Sequence, residues 1–492
     1  MRDQLFHLSS ESALSLQAQL REMLVAAILD GHIPGGNPVP SCRRLARQLG
    51  VSRNTVVLAY QHLVDEGFLL SRERSGYYVN GDILAGRVDH GQAPDGGAGG
   101  AESTFPVWRS RFRLRPSAQD NIVKPRDWQK YPYPFIYGQV DPALFPIADW
   151  RECCRDALSV LAVRDWAPDR VDDDDPGLIE ELHTRVLPRR GVWATADQIL
   201  VTVGAQQALY LLSNLLVRER DTVGIESPGY VDARNIFSLS TTRLQPLRLD
   251  GQGVVVDGQL DGCDYVYVTP SHQSPTTVTM ALARREMLLE RARRSDFVII
   301  EDDYESETSF VGDPTPALKS LDRSDRVLYV GSLSKSLAPG LRLGYMVGPA
   351  ELIREARALR RLMLRHPPAN NQRTLALFLA RGYYDSLARR LSHTYRDRWQ
   401  TMGRALARYL PDSARVPTFG GTSYWVRGPE ALDARELARA AAGRGILIEP
   451  GDLHFMGEPR PRNFFRLGLS SIPVDRITEG VRLLAGLVHE TS

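Results

Sequence analysis

Four lysines, at 124, 130, 319 and 335, stand among the 61 basic side chains of this sequence; the rest are arginine. Arg-favouring codons account for the skew, but its consequence is chemical. Any reaction that needs a primary amine has four places to occur. Lys335 has the best surroundings, in Gly331-Ser332-Leu333-Ser334-Lys335-Ser336-Leu337-Ala338-Pro339-Gly340-Leu341-Arg342-Leu343-Gly344. An amine there can form a Schiff base with an aldehyde. Ser332 and Arg342 flank it as natural phosphate ligands, Arg342 through its forked donors. A lone lysine after a strand is ordinarily a surface charge. The hydroxyls of Ser332, Ser334 and Ser336 around this one argue for chemistry.

Three further clusters suit the same chemistry. Glu301-Asp302-Asp303-Tyr304 closes an apolar run. Asp302 there can pair with a protonated pyridine nitrogen, and Tyr304 can donate to a phenolate oxygen of the same ring. Taken alone, a cation site or a solvated acidic turn is an equal reading. Gly204-Ala205-Gln206 opens a helix after a strand, where free N–H groups and the helix dipole can hold a phosphate. Tyr230 in Pro228-Gly229-Tyr230 suits stacking on a flat ring, or simply packing of the turn.

These clusters need a frame that brings strand ends together. Short apolar strands are predicted over 199–203, 222–226, 265–269, 297–301 and 326–330. Each is followed by a loop rich in Gly, Ser, Pro or Asp and then a helical pattern. This is α/β patterning around a mostly parallel sheet, which places its ligands beyond the strand ends. From about 351 to 492 the pattern is mostly helical, with strands near 423–426 and 464–469. The length of 492 residues suggests roughly three units. With 43% hydrophobic and 24% charged residues, collagen-like, wholly disordered and disulfide-scaffold classes are excluded. Four cysteines without a C-x-x-C pair make neither a disulfide framework nor a zinc site, so no metal is expected. No long apolar run or signal-like N-terminus is seen, which leads to the expectation of a cytoplasmic protein without membrane contact.

The N-terminal part reads differently. A helix over about 16–28 ends at Gly31. A short helix opened by Ser41 follows, then Gly50, then a helix capped by Ser52, then a weakly alternating wing around Arg72-Glu73-Arg74-Ser75-Gly76. This order predicts a winged helix-turn-helix whose second helix enters the major groove with Ser52, Arg53, Asn54 and Thr55 foremost. Arg can read guanine and Asn adenine through paired hydrogen bonds. Residues 40–74 hold six arginines, among them Arg43, Arg44, Arg53, Arg72 and Arg74, against three acids. That local excess fits phosphate contact. Gly91 to Gly100 then reads as a flexible linker by composition.

The stretches Pro40-Ser41-Cys42-Arg43-Arg44-Leu45-Ala46, Leu49-Gly50-Val51-Ser52-Arg53-Asn54-Thr55-Val56 and Leu63-Val64-Asp65-Glu66-Gly67, with the Gly76 wing, resemble the GntR-type winged-helix family. The later clusters, with Thr269-Pro270-Ser271-His272-Gln273-Ser274-Pro275, His366-Pro367-Pro368 and Phe464-Phe465-Arg466-Leu467-Gly468, resemble fold-type I pyridoxal-phosphate aminotransferases. The whole chain resembles a MocR-type regulator. Its expected divisions are a DNA-binding domain at 1–80, a linker at 81–128 and an aminotransferase-like domain at 129–492, with its large part at about 150–350.

The resemblance implies pyridoxal 5'-phosphate on Lys335. Asp302 would meet the pyridine nitrogen, and Tyr304 with His272 or Gln273 the ring oxygen. Tyr230 would stack on the ring, while Ala205, Gln206, Ser332 and Arg342 take the phosphate. Arg466 would grip the carboxylate of a small amino compound, the effector. Arg43, Arg53, Thr55, Arg74 and Gly76 would touch promoter DNA. The function implied is a transcription regulator that senses its effector through an external aldimine, as a homodimer with crossed heads. An aminotransferase with an appended DNA-binding domain is the alternative, and half-reactions are compatible with either. The family's usual Tyr-Gly-Asp-Pro-x-Gly here reads Asp172-Asp173-Asp174-Asp175-Pro176-Gly177, and Asp232 stands where an Arg is usual after Tyr230. Those acids favour an effector with a second cationic amine, or make a solvated loop.

Overall fold

The computed structural model describes residues 8, 14–73, 75–84, 108–305, 315–333, 335, 337–411, 413 and 420–491. The chain divides into two compact units, Met1–Val107 and Trp108–Ser492.

The first unit contains α1 (Leu16–Leu29), α2 (Cys42–Leu49), α3 (Arg53–Asp65), β1 (Leu69–Arg72) and β2 (Gly76–Val79). Each helix starts on a serine. The hydroxyls of Ser15, Ser41 and Ser52 accept from the backbone N–H of Ala18, Arg44 and Thr55, satisfying donors that have no partner inside the helix. Gly50, at φ +68°, ends α2 and turns the chain into α3. Leu20, Leu24, Leu45, Val56, Tyr60, Leu63, Leu69 and Val79 bury together as the core. Tyr60 carries a polar atom into that core and satisfies it by donating to the Pro40 carbonyl at 2.8 Å. β1 and β2 pair antiparallel from Leu69↔Val79 to Arg72↔Gly76, which makes the wing.

The second unit begins with β3 (Tyr133–Pro134) and builds an eight-stranded sheet. Its strands are β4 (Ile199–Thr202), β5 (Val223–Ser227), β6 (Leu244–Asp250), β7 (Gly253–Val254), β8 (Tyr265–Val268), β9 (Val298–Asp303), β10 (Val327–Ser332) and β11 (Gly344–Val347). Their order across the sheet is β4-β11-β10-β9-β8-β5-β6-β7. The run from β6 to β10 is parallel. β11 lies antiparallel between β10 and β4, and β7 antiparallel on β6. The central strands β5, β8, β9, β10 and β11 are buried along almost their whole length, as expected for a sheet covered on both faces. A smaller part adds β12 (Ser423–Arg427), β13 (Ile446–Leu447), β14 (Glu449–Pro450) and β15 (Phe464–Gly468). β12, β15 and β14 form an antiparallel sheet, and β13 pairs with β3. The helices Tyr383–Tyr409 and Val474–Thr491 pack on one another there.

The five strands predicted in the large part are all present. β6, β7 and β11 were not anticipated. β11 starts on the last glycine of the Lys335 motif, and a four-residue run carries no periodicity of its own. Within 81–128, residues 108–128 lie on the second unit. Gln119 Nε2 donates to the Asn235 carbonyl at 3.0 Å and to Ser238 Oγ at 2.9 Å, and Arg460 pairs with Asp120 at 2.9 Å. Gly91 to Gly100 falls outside the described residues. Among the described residues no helix is long and apolar enough to cross a membrane.

Candidate functional site

Alternation along β9 gives its last three acids different surroundings. Glu301 accepts the backbone N–H groups of Leu318 and Lys319, each at 2.7 Å. Asp303 accepts from Arg190 Nε and the Tyr329 hydroxyl, each at 2.8 Å. Asp302 Oδ2 accepts from the Tyr267 hydroxyl at 2.8 Å, while its Oδ1 is buried with no hydrogen-bond partner among the described residues. Burial pushes the Asp302 carboxyl up to about 7, with Tyr267 and Lys335 opposing the rise. A cation against Oδ1 would satisfy that atom and hold the group ionised. A protonated ring nitrogen fits this requirement.

Lys335 lies three residues beyond β10. Its Nζ is 3.4 Å from the Tyr137 hydroxyl, 4.4 Å from the centre of that ring and 5.8 Å from the centre of the Tyr304 ring. Burial lowers its pKa and the charge of Arg466 adds to the effect, against Glu305, Asp302 and Glu449. A lowered pKa leaves more of the amine as free base, the form that adds to a carbonyl.

Two glycines let the phosphate candidates meet. A Cβ on Gly204 would lie 2.8 Å from Arg342 Nη2, and one on Gly344 would lie 2.9 Å from the Ala205 nitrogen. The start of helix Gly204–Leu216, with Ala205 and Gln206, therefore faces Arg342. Ser332 ends β10 directly opposite Gly344. Arg342 makes only long contacts, to the Val203 carbonyl at 3.3 Å and Gln206 Oε1 at 3.4 Å, and has no carboxylate partner among the described residues. Ala205, Gln206, Ser332 and Arg342 thus form a cradle suited to an anion.

The remaining ring candidates part company. Tyr230 donates to Asp232 Oδ2 at 3.1 Å, and Gln206 Nε2 donates to the same oxygen at 2.6 Å. Tyr304 donates to the His272 carbonyl at 2.8 Å. The buried His272 ring has no partner on either nitrogen among the described residues, and burial lowers its pKa. Gln273 is fully spent. Its amide nitrogen serves Glu226, the Pro228 carbonyl and the Ser274 carbonyl, and its oxygen accepts from Thr276. It braces the loop and has no donor left for a ring.

Arg466 is buried, its guanidinium 3.8 Å from the centre of the Tyr137 ring. It is already paired. Nε donates to Glu449 Oε1 at 2.8 Å, and Nη2 reaches the same oxygen. Although burial works to raise it, Arg466, His454 and Lys124 hold Glu449 down at about 2. Tyr137 is the hub that the sequence reading missed. Its ring lies against Arg466, its hydroxyl donates to Glu305 at 2.9 Å, and its carbonyl accepts from Lys124. Lys124 was findable as one of only four lysines; Glu305 and Glu449 carry no local signal. The acidic run is split: Asp172 and Asp173 are exposed, as a solvated loop would have them, while Asp174 and Asp175 are buried and engaged. Asp174 is buried between Arg357 at 2.8 Å and Arg360 at 2.6 Å, and Asp175 caps the helix Pro176–Glu181 through the Leu178 N–H at 3.0 Å.

In the first unit Arg43, Arg44, Ser52, Arg53, Asn54 and Arg72 are exposed and Thr55 is half-buried. Ser52 Oγ caps α3 and also bonds Thr55 Oγ1 at 2.8 Å. Among the described residues of this unit the ion pair is Arg21–Glu66, so the guanidiniums of Arg43, Arg44, Arg53 and Arg72 have no carboxylate partner. The Arg72 guanidinium lies 4.3 Å from the centre of the Tyr78 ring. Gly76, at φ +103°, shapes the wing turn. Arg74 lies outside the described residues.

Comparisons with known proteins agree with this geometry. Residues 175–484 match the family of class I and II aminotransferases, and residues 16–79 match the gntR family of bacterial regulatory proteins. The HTH-type transcriptional regulator TauR of Rhodobacter capsulatus is 41% identical, covering 98% of each chain. The probable rhizopine catabolism regulatory protein MocR of Rhizobium meliloti is 31% identical, over 97% of this chain and 94% of that one. Among solved structures, the kynurenine aminotransferase of Pyrococcus horikoshii, determined in complex with PMP, superposes with a TM-score of 0.70 at 27% identity. It covers 78% of this chain and 98% of that one.

Proposed function

The chain belongs to the gntR-family regulators that carry a class I and II aminotransferase domain, and from that premise we propose how it senses an amino compound and reports it to a promoter. It is a pyridoxal-phosphate-dependent, DNA-binding transcription regulator. Bound pyridoxal phosphate supplies an aldehyde carbon that exchanges one amine for another. Residues 1–80 bind DNA, 129–492 hold the cofactor, and 81–128 join them. Lys335 provides the resident amine, and Asp302 holds the ring nitrogen protonated. Ala205, Gln206, Ser332 and Arg342 bind the phosphate. Tyr230, Tyr304 and His272 border the ring, and Arg466 receives the acid group of the effector. The observation that carries this reading is Asp302 Oδ1, buried and unpartnered on the strand beside the one that leads to Lys335.

A promoter-binding protein works where the chromosome is, which places it in the cytoplasm. A homodimer is supported by Leu158, Val160 and Leu161, which are 64%, 71% and 74% exposed at adjoining positions. Contiguous apolar surface of this kind marks association. A crossed arrangement, each head serving the body of the other copy, is compatible with the length of the connection. Borohydride reduction of the purified full chain tests the cofactor assignment. The cofactor mass is expected on the peptide carrying Lys335. Its recovery on the peptide of Lys124, Lys130 or Lys319 would contradict the assignment.

The DNA roles separate by residue. Arg53, at the exposed start of α3, is placed to read a base. Arg53→Ala should cost about 1–3 kcal/mol of discrimination at one base pair per half-site. Arg43→Ala, on α2, should weaken specific and random DNA alike, because a phosphate carries no base identity. Binding titrations on both DNAs check this, and equal losses for Arg53→Ala would sink its reading role.

A further inference from the structure

Lys124 takes no part in cofactor or DNA contact as assigned above, yet its amine is at the site. It belongs to residues 108–128, the segment that leads back through 81–107 to the winged-helix unit. Its Nζ donates to the Tyr137 carbonyl and lies 3.9 Å from Glu449 Oε2. A Cβ on Gly138 would stand 3.4 Å from the Nζ of both Lys124 and Lys335. Glu449 is shared unevenly. Oε1 carries Arg466 and also His454 Nε2 at 3.3 Å, while the buried Oε2 has no hydrogen-bond partner among the described residues. A cavity of about 230 Å³ lies under the segment, lined by Ile122, Pro125, Leu447, Glu449 and Leu453 among others. The segment is therefore fastened by polar anchors, with open space beneath it.

We propose that Lys124 passes effector occupancy to the connecting segment by an exchange of ion-pair partners: the acid group of the effector takes the Arg466 fork, and Glu449, released, closes on Lys124. The inference rests on the reading of Arg466 as the acid-group receptor. A buried carboxylate is costly to leave unpaired, and Lys124 is the cation already beside its free oxygen. A ligand shifts an equilibrium only through contacts that differ between two states. Here the differing contact is Lys124–Glu449, and it is made on the segment that continues to the DNA-binding unit. The effector class follows: an amine that also carries an acid group. A diamine would leave Arg466 on Glu449 and would not signal.

Charged and titratable groups face Lys124 from several elements. They are Glu449 and Arg466 on β14 and β15, Tyr137 beyond β3, Lys335 beyond β10, and Asp232 on the helix Val231–Phe237. Burial holds the Lys124 amine at about 8, so the exchange fades as pH rises through that value.

The test uses the full chain with its cofactor. The probes are the ω-amino acids from glycine to 6-aminohexanoate, with 1,4-diaminobutane beside them. Three readouts are followed: the visible band, promoter binding, and hydrogen exchange of backbone amides 117–128. In the wild type an amino-acid probe should move all three. In Lys124→Met the band should still respond, but the promoter response should weaken about tenfold or more, and protection of 117–128 should no longer rise. Lys124→Arg should restore both and keep them at about pH 9, where the wild type loses them, because a guanidinium stays charged. A Lys124→Met protein whose promoter response matches the wild type overturns the relay, as does a diamine that signals as well as the amino acids. If no amino acid moves the wild-type band, the Arg466 reading falls and the relay with it.

Discussion

Lys335→Ala should yield a folded protein with no visible cofactor band and no change in promoter binding on adding any amino compound. The loss should be complete, because Lys124, the other amine near the site, is already held by the Tyr137 carbonyl and Glu449. Lys319 is the nearest rival by sequence. Its backbone N–H is bound by Glu301, and its amine is held by Asp325 at 3.0 Å and Asp322 at 3.7 Å. Lys319→Ala should therefore keep the band. Folding should survive at Lys335, because burial disfavours the charge that the substitution removes. Absorbance spectra of the two variants, with circular dichroism as the folding control, check the pair. A normal band in Lys335→Ala would move the reacting amine elsewhere.

Arg466→Ala should have two separable effects. The first is a weakened response to the effector. A charge-assisted forked contact is worth about 1.5–3 kcal/mol, so the response curve should move roughly ten- to a hundredfold to higher concentration. The second is lost stability, about 3–5 kcal/mol, because Glu449 is left buried without its main partner. Arg466→Ala combined with Glu449→Ala should recover most of the stability and none of the response. Acid should separate the two further. Glu449 is held at about 2 in the fold against about 4.3 in an unfolded chain. A depressed carboxyl contributes stability that is present above the unfolded value and lost as pH falls toward the folded one. The stability gap between wild type and Arg466→Ala should therefore narrow from about pH 6 to about pH 3, as the stranded carboxyl becomes neutral. Thermal melts over that range check the sign; a gap that widens in acid would contradict the pairing.

Much of the scaffold was legible because its signals are local. Ser15, Ser41, Ser52 and Gly50 punctuate the first unit, and local chemistry dictates caps and turns. Apolar strands predicted to end at Glu226, Glu301 and Val330 announced the parallel sheet. Lys335 and Arg342 stood out by residue type. The rest depends on tertiary contact. Tyr137 meets Lys335 and Arg466 from residues far apart in sequence, so no spacing could reveal it. Glu449 looks like any surface acid until β14 and β15 set it against Arg466. That Arg466 is already paired with Glu449 is not legible either, because a sequence does not show that a fork is occupied. Asp172 and Asp173 are as solvated as they look, but Asp174 is not, for the converse reason: Arg357 and Arg360, which bury it, lie far along the chain.

On the proposed function, one site both holds the cofactor and reports an amino compound to DNA. The most direct measurement of this is a single titration of the ω-amino acids into cofactor-loaded protein on promoter DNA, with the visible band and promoter occupancy recorded from the same samples. The two signals should change over the same concentration range in the wild type, and both should be absent from Lys335→Ala. Promoter occupancy that responds while the band stays fixed, or that responds equally in Lys335→Ala, would show that sensing occurs somewhere other than this site.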